Sequence, residues 1–177
     1  MPPLPERQLE MREKNLEYML DWIAVQELVA EYGQAIDHGK DTGDWTRWER
    51  VFAPEVTSDY SRFMGVPPST APRAVLAQFG NKALECFTRV QHSTANTVRT
   101  EFTNPTHATV HAYAEVSHFF TMDGFPQEWT LVGRYTHEVV KTAAEGWRIQ
   151  KVTLDPIHHR GNLLGLEFAR GKRLGTP

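Results

Sequence analysis

The second half of the chain has the pattern of long strands separated by short turns. Three dipeptides that contain Pro or Gly mark the turns: Asn104-Pro105, Asp123-Gly124 and Glu145-Gly146. The segments around them alternate polar with apolar side chains and are rich in β-branched and aromatic residues. Since the connections are short, we predict an antiparallel meander with strands over about 89–103, 107–122, 127–142 and 146–155.

The first half of the chain has a helical pattern. A stripe of residues spaced by three and four predicts a helix from about Gln8 to Asp37 with one buried face: Trp22, Val25, Val29, Tyr32 and Ile36. Asp21 is a candidate cap for a second piece of this helix, and Gly39 is a candidate stop. Two more helices and a short strand are expected over Trp45–Phe52, Arg73–Phe87 and Val56–Tyr60.

Helices followed by an antiparallel meander make an α+β fold, with the helices packed on one face of the sheet. The chain has 177 residues, of which 40% are apolar, enough for a single domain with a real core. We expect an N-terminal, partly helical extension over 1–20, the domain over 21–156, and a tail over 157–177. Four apolar residues of the tail suggest that it packs on the domain and could cover a pocket: Leu163, Leu164, Leu166 and Phe168.

Charge and composition narrow the possible partners and location. The net charge is −3 with both signs interspersed, which argues against a nucleic-acid binder. No run approaches the roughly 20 apolar residues that span a bilayer, and the N-terminus has no signal-peptide core. Cys86 is alone, so no intramolecular disulfide can form and a reducing compartment is the default. We expect a cytoplasmic protein that binds neither nucleic acid nor membrane.

The stretch RVQHSTAN, residues 89–96, places three polar side chains on one side of a predicted strand: His92, Thr94 and Asn96. That side is either wet or lines a polar cavity. Enzymes that move protons near neutral pH often use a histidine whose second ring nitrogen is held by a carboxylate. Asp37 is a candidate for that carboxylate, since an acid at a helix C-terminus opposes the macrodipole and gains little there structurally. Spacing alone leaves their contact open.

Three segments resemble the scytalone dehydratase family. The longest is DWTRWERVFAPEVTSDY, residues 44–60, and the others are Gln91-His92 and Gly146–Ile149. More broadly, the chain resembles the SnoaL-like branch of the nuclear transport factor 2-like superfamily, from about Trp22 to Pro156. The resemblance implies a cone-shaped, cystatin-like single domain in which helices close over a curved, mainly antiparallel sheet and a pocket opens at one end.

The resemblance also implies site residues and chemistry. Asp37 and His92 fall on an Asp–His pair that transfers protons at the bottom of the pocket, and Tyr32 and Tyr60 fall on catalytic tyrosines. We therefore expect a lyase without cofactor or metal that acts on a small aromatic or polycyclic molecule. It would work as a dehydratase or by retro-aldol cleavage that releases a small aldehyde. A homodimer or homotrimer formed through the outer sheet face is also implied.

Some positions depart from the scytalone dehydratase pattern. Tyr113 stands where that family has a second pocket histidine, and Arg134 and Thr136 stand where it has a serine and an asparagine. An Arg134 that faces the pocket could bind a carbonyl, phenolate or carboxylate. Asn96 and Trp48 are further candidate substrate contacts.

Each candidate also has a structural alternative. Tyr32 lies on the helix stripe and Trp48 could pack in the core, while Arg134 could pair with Glu115 or Glu138. His158-His159 is a poor metal motif, because adjacent residues of an extended segment point in opposite directions. For the whole protein, the alternatives are a ketosteroid-type isomerase and a non-catalytic binding or assembly module of the same fold.

Overall fold

The computed structural model of this chain describes residues 6–94 and 99–173, without the side chains of residues 6–9. Within these ranges the helices are α1 (Glu6–Thr42), α2 (Thr46–Glu49), α3 (Ser61–Met64), α4 (Arg73–Ala83) and α5 (Leu164–Ala169). The strands are β1 (Phe52–Asp59), β2 (Ser69–Pro72), β3 (Arg89–Thr94), β4 (Arg99–Asn104), β5 (His107–Met122), β6 (Phe125–Thr142) and β7 (Gly146–Gly161).

Helix α1 is one unbroken element of 37 residues, or about 55 Å. The expected break at Asp21 is wrong, because its carboxylate accepts hydrogen bonds from Trp147 Nε1 at 2.8 Å and Lys141 Nζ at 2.7 Å. Asp21 thus ties the helix to the sheet. The expected stop at Gly39 is also wrong. A Cβ at Gly39 would lie 2.8 Å from the Trp45 ring, so this glycine allows close packing instead.

The described strands form a mixed sheet in the order β2-β1-β7-β6-β5-β3, and β4 also pairs with β5. The predicted meander is confirmed for β5, β6 and β7, while β1 runs parallel to β7. The predicted strand 89–103 consists of β3 and β4, which pair with successive parts of β5. Two register shifts between β6 and β7 bend the sheet. The fold is the predicted α+β fold of one domain.

The two faces of the sheet differ in burial. We call the face that packs against α1 the inner face, and the opposite one the outer face. On β5 the inner residues are all buried: Ala108, Val110, Ala112, Ala114, Val116, His118 and Phe120. On β6 they include Trp129, Leu131, Tyr135, His137 and Val139. The core therefore lies between the inner face and the helices. None of the helices in the described ranges has the apolar length that a membrane crossing requires.

Candidate active site

The site starts where α1 touches β3. Gly33 of α1 faces His92 so closely that a Cβ on the glycine would lie 2.8 Å from the His92 Cβ. Only a residue without a side chain permits this approach. Asp37 follows four residues later on the same face of the helix, which brings its carboxylate level with His92.

The Asp37 carboxylate holds both the backbone and the ring of His92. Oδ2 accepts a hydrogen bond from the His92 amide at 2.9 Å, and Oδ1 lies 2.6 Å from His92 Nδ1. The His92 side chain is only 7% exposed, whereas that of Asp37 is 26% exposed. The imidazole is therefore withdrawn from solvent, and Asp37 holds His92 at two points, its backbone amide and its ring.

This geometry sets the tautomer of the ring. A carboxylate can only accept, so Nδ1 carries a proton and donates it, and in the neutral ring Nε2 carries the lone pair. No described residue forms a hydrogen bond with Nε2. The ring lines an internal cavity. His92 can therefore take a proton from a molecule in that cavity while Asp37 stabilises the resulting imidazolium.

The cavity has a volume of about 400 Å³ and lies between the inner face of the sheet and the helices. Its walls are mainly apolar and aromatic, as in most small-molecule sites. Trp48, from α2, is buried and lines it, as does Ala169 at the end of α5, so the C-terminal segment contributes to the wall. Val66 and Phe79 are more than half exposed and also line the cavity, which places them at its opening.

A second histidine also lines the cavity, and the sequence analysis did not select it. His118 of β5 is 6% exposed, and its Nδ1 donates to the Val116 carbonyl at 3.1 Å. Burial, together with repulsion from a charged His92, lowers the pKa of His118 to about 3. Its ring is therefore neutral at neutral pH. The available signal was a histidine on the otherwise apolar face of a strand.

His118 belongs to a wall of aromatic rings around Trp129. The His118 and Trp129 rings lie 4.4 Å apart, and Phe63 and Phe87 stack against Trp129 at 6.2 Å each. Flat rings of this kind suit an aromatic or polycyclic ligand.

Three tyrosines also line the cavity: Tyr32, Tyr60 and Tyr135. The hydroxyls of Tyr32 and Tyr60 are 3.0 Å apart, and the Tyr32 and Tyr135 rings meet edge to face at 5.4 Å. Burial raises the pKa of all three phenols, so each keeps its proton at neutral pH. Tyr135 is the second residue that the sequence analysis missed.

The structure corrects two predicted substrate contacts. Tyr113 and Arg134 do not face the cavity: they pair across β5 and β6 on the outer face, with the guanidinium 5.7 Å from the centre of the phenol ring. The reason is strand parity, since the inward neighbours are Ala112, Ala114, Gly133 and Tyr135. The alternative ion pairs are also absent, because Glu115 and Glu138 bind Arg160 and Lys151. Asn96 lies outside the described residues.

The histidine pair 158–159 does not form a ligand cluster. His158 is exposed, whereas the His159 ring packs 5.7 Å from that of Trp129. In the described part of the chain, no group of three or more His, Cys, Asp or Glu residues is arranged to hold a metal ion.

Comparison with known proteins identifies the family. The family model of the SnoaL-like domain matches residues 17–153, so the chain belongs to the SnoaL-like family. No curated protein sequence matches it. The solved structure of Kfla4162 from Kribbella flavida is 26% identical, with a TM-score of 0.74 over 87% of this chain and 99% of that one.

Two further structures carry the names of lyases. A candidate scytalone dehydratase from Novosphingobium aromaticivorans is 16% identical, with a TM-score of 0.68 over 84% of this chain and 91% of that one. The LinA-type3 hexachlorocyclohexane dehydrochlorinase from Novosphingobium barchaimii is 14% identical, with a TM-score of 0.62 over 89% and 99%. At these identities the likeness shows the fold alone. The predicted SnoaL-like family is confirmed, and the fold is shared with a nuclear transport factor 2-like superfamily protein from Salmonella enterica.

Proposed function

We propose that this protein is a lyase that eliminates a small group from a hydrophobic, aromatic or polycyclic molecule. The observation that carries the proposal is the contact between Asp37 and His92 at the wall of the cavity. The names of two structural neighbours, a dehydratase and a dehydrochlorinase, support the same reaction class.

In the proposed reaction, His92 Nε2 takes a proton from the carbon next to a substrate carbonyl. The C–H electron pair forms the new C=C bond, and the C–O bond of the β-hydroxyl breaks. The imidazolium returns its proton to the departing hydroxide, which leaves as water. Asp37 keeps the ring oriented and compensates its transient charge. The phenols of Tyr32 and Tyr60 donate to the carbonyl oxygen as it gains negative charge.

A retro-aldol cleavage uses the same groups. His92 then takes the proton of the β-hydroxyl, the adjacent C–C bond breaks, and an aldehyde leaves. The electron pair of that bond becomes an enolate, which the imidazolium reprotonates. The nature of the released product, water or aldehyde, distinguishes the two reactions.

The competing functions fit the site less well. A non-catalytic binding module predicts a cavity filled by its own side chains and no buried Asp–His contact. The open cavity and the two-point contact favour the lyase. A ketosteroid-type isomerase would use a carboxylate as its base, whereas here Asp37 is engaged by the amide and ring of His92.

The test is a screen of hydroxylated aromatic ketones, with water loss and released aldehydes detected by mass spectrometry. We expect His92→Ala to lower turnover of any active compound by roughly a hundredfold or more. The matched control is His111→Ala, which removes an exposed histidine from the outer face of β5. Turnover that survives in His92→Ala would remove the proposed base.

A further inference from the structure

The N-terminal half of α1 leaves one apolar side uncovered. Its exposed fractions are 57% for Leu16, 58% for Met19, 56% for Leu20 and 44% for Ile23. At 100° per residue these four positions span about 100° of the helix surface, and we call them the outward stripe. Val25 lies about 180° from Leu16 and is fully buried in the core. The outward stripe therefore points away from the sheet.

The domain itself does not cover this part of the helix. Every side chain of residues 10–20 is exposed, so the segment packs little on the rest of the domain. A helix of this length without tertiary packing is only marginally stable in water. Contiguous exposed apolar side chains on a folded protein usually mark a surface that binds something. We therefore expect the outward stripe to have an occupant.

A membrane surface is a poor occupant for the outward stripe. Helices that lie on membranes usually carry Lys and Arg on their polar side, and these side chains attract anionic lipids. From Glu6 to Ile23 the chain has three basic against five acidic residues, a net charge of −2. An anionic bilayer would repel this segment.

The charges beside the outward stripe suit a second copy of the same chain. Arg12 precedes the stripe and Glu27 follows it, and both are exposed on the same side of the helix. In the described part of the chain, neither side chain makes an ion pair. Both lie 7.5 positions from the midpoint between Met19 and Leu20, or about 11 Å along the axis. Two antiparallel helices that cross at this midpoint place Arg12 opposite Glu27 of the partner subunit, whereas parallel helices place like charges together.

The same antiparallel arrangement matches the apolar residues. Leu16 and Ile23 each lie 3.5 positions from the midpoint, so Leu16 packs on Ile23 of the partner subunit, and the reverse. Met19 and Leu20 meet their copies at the midpoint. A groove of about 200 Å³ beside the stripe can receive a side chain of the partner, and it is lined by Tyr18, Met19, Trp22 and Ile23.

We propose that two copies of this chain associate through the outward stripes of their α1 helices, which cross antiparallel at a two-fold axis between Met19 and Leu20. A two-fold contact requires a patch that is complementary to itself, and the stripe with Arg12 and Glu27 meets this condition. The surface is separate from the outer face of the sheet, where the family resemblance implied an association. It does not include the cavity, so the proposal is independent of the proposed function.

Reversal of single charges tests the pairing, with association measured by sedimentation equilibrium over a range of protein concentrations. We expect Arg12→Glu and Glu27→Arg each to weaken self-association about tenfold or more, since each variant places two pairs of like charges in the contact. The double variant restores opposite charges and should return to within about threefold of the wild type. The matched control is Lys14→Glu, which reverses an exposed charge on the side of α1 away from the stripe.

Disulfide trapping tests the direction of the helices. In a Cys86→Ser background, Leu16→Cys chains mixed with Ile23→Cys chains should cross-link to each other under mild oxidation. Neither variant should cross-link when it is alone, because antiparallel helices bring only the two different positions together. Cross-linking of Leu16→Cys to itself would instead indicate parallel helices and would overturn the proposed arrangement.

Other results would also overturn the proposal. They are a wild-type chain that stays monomeric, single charge reversals without effect, a double variant that does not recover, and a loss in Lys14→Glu as large as that in Arg12→Glu. Association that Tyr113→Ser abolishes and Arg12→Glu does not would belong to the outer face of the sheet. A monomeric chain that sediments with vesicles of phosphatidylcholine and phosphatidylserine would assign the stripe to a membrane, and one that does not would assign it to a different protein.

Discussion

Neighbouring residues of β6 have opposite surroundings, although each of their side chains carries a polar group. Tyr135 and His137 point to the inner face and are buried among aromatic rings, whereas Arg134 lies exposed on the outer face. Burial changes what each group can do. The inner phenol and imidazole stay neutral and poorly solvated, while the outer guanidinium is exposed to solvent. Removing a buried polar group should therefore change binding or stability strongly, whereas removing an exposed one should change them little.

The largest effect should come from Asp37→Asn, which keeps the size of the side chain but removes its charge. The amide cannot stabilise an imidazolium and can favour the wrong ring tautomer. We expect kcat to fall roughly a thousandfold in the reaction that the screen identifies.

Asp41→Asn is the matched control for that variant. Asp41 lies one turn further along α1 and pairs with Arg89, so it also ties the helix to β3, but it does not contact His92. The kcat of the Asp41→Asn variant should stay within about threefold of the wild-type value. Equal losses in the two variants would show that Asp37 acts only as a structural tie.

The next effect is the pH dependence caused by His137. Burial lowers its pKa from 6.5 to about 3, so between these values the unfolded chain binds a proton that the folded protein does not. The contribution of the neutral His137 to the free energy of unfolding is therefore present in full above its unfolded pKa and is lost as the pH falls toward its folded pKa. In His137→Leu, we expect the loss of unfolding free energy between pH 7 and pH 4.5 to be smaller by roughly 2–3 kcal/mol.

Urea unfolding at the two pH values measures this difference. His111→Leu is the control, since that histidine is exposed on the outer face and its removal should leave the pH dependence unchanged. His118 remains in both variants and contributes equally to each. Identical pH dependence in His137→Leu and the wild type would contradict a neutral, buried His137.

A smaller loss should follow Gly33→Ala. The new methyl group meets the His92 Cβ at 2.8 Å, and neither backbone can yield easily. The strain outweighs the gain in helix propensity, so we expect a net destabilisation of about 1–2 kcal/mol, with reduced turnover. Gln34→Ala, at the exposed neighbouring position, is the control. A Gly33→Ala protein as stable and active as Gln34→Ala would mean that the close contact is not required.

The smallest effect is expected on the outer face. Arg134→Ala should change the unfolding free energy by less than about 0.5 kcal/mol and leave kcat and KM within about twofold. Initial rates and urea unfolding check both values. A large rise in KM would place the guanidinium in substrate binding after all and would reverse the contrast between the faces.

The homodimer or homotrimer stays a prediction, as do the cytoplasmic location and the division into extension, domain and tail.

The strand pattern predicted much of this architecture. Turn dipeptides and the alternation of side chains predicted a strand over 107–122, the bounds that β5 has in the structure. The alternation is informative because side-chain direction in a strand reverses at every residue. The pairing of Asp37 with His92 was expected from the family resemblance, since spacing cannot show a contact between residues 55 positions apart. The predicted break in α1 was wrong because the Asp21 carboxylate is used by Trp147 and Lys141, both distant in sequence.

The sequence pattern did not predict which face of each strand turns toward the core. Both faces of β6 mix polar and apolar residues, so alternation alone did not favour Tyr135 over Arg134. His118 was missed for a related reason, because a single histidine among alanines and valines does not show whether a cavity lies beside it.

The sequence by itself determined the local elements, the single α+β domain and the family to which the chain belongs, because these depend on periodicity, turn residues and recognisable segments. Only the tertiary structure decided which polar groups share the cavity. Helix α1 covers one face of the sheet and leaves the other open. Which face the helix covers depends on the packing of residues that are distant in sequence, above all the approach of Gly33 to His92, and no local pattern encodes such contacts.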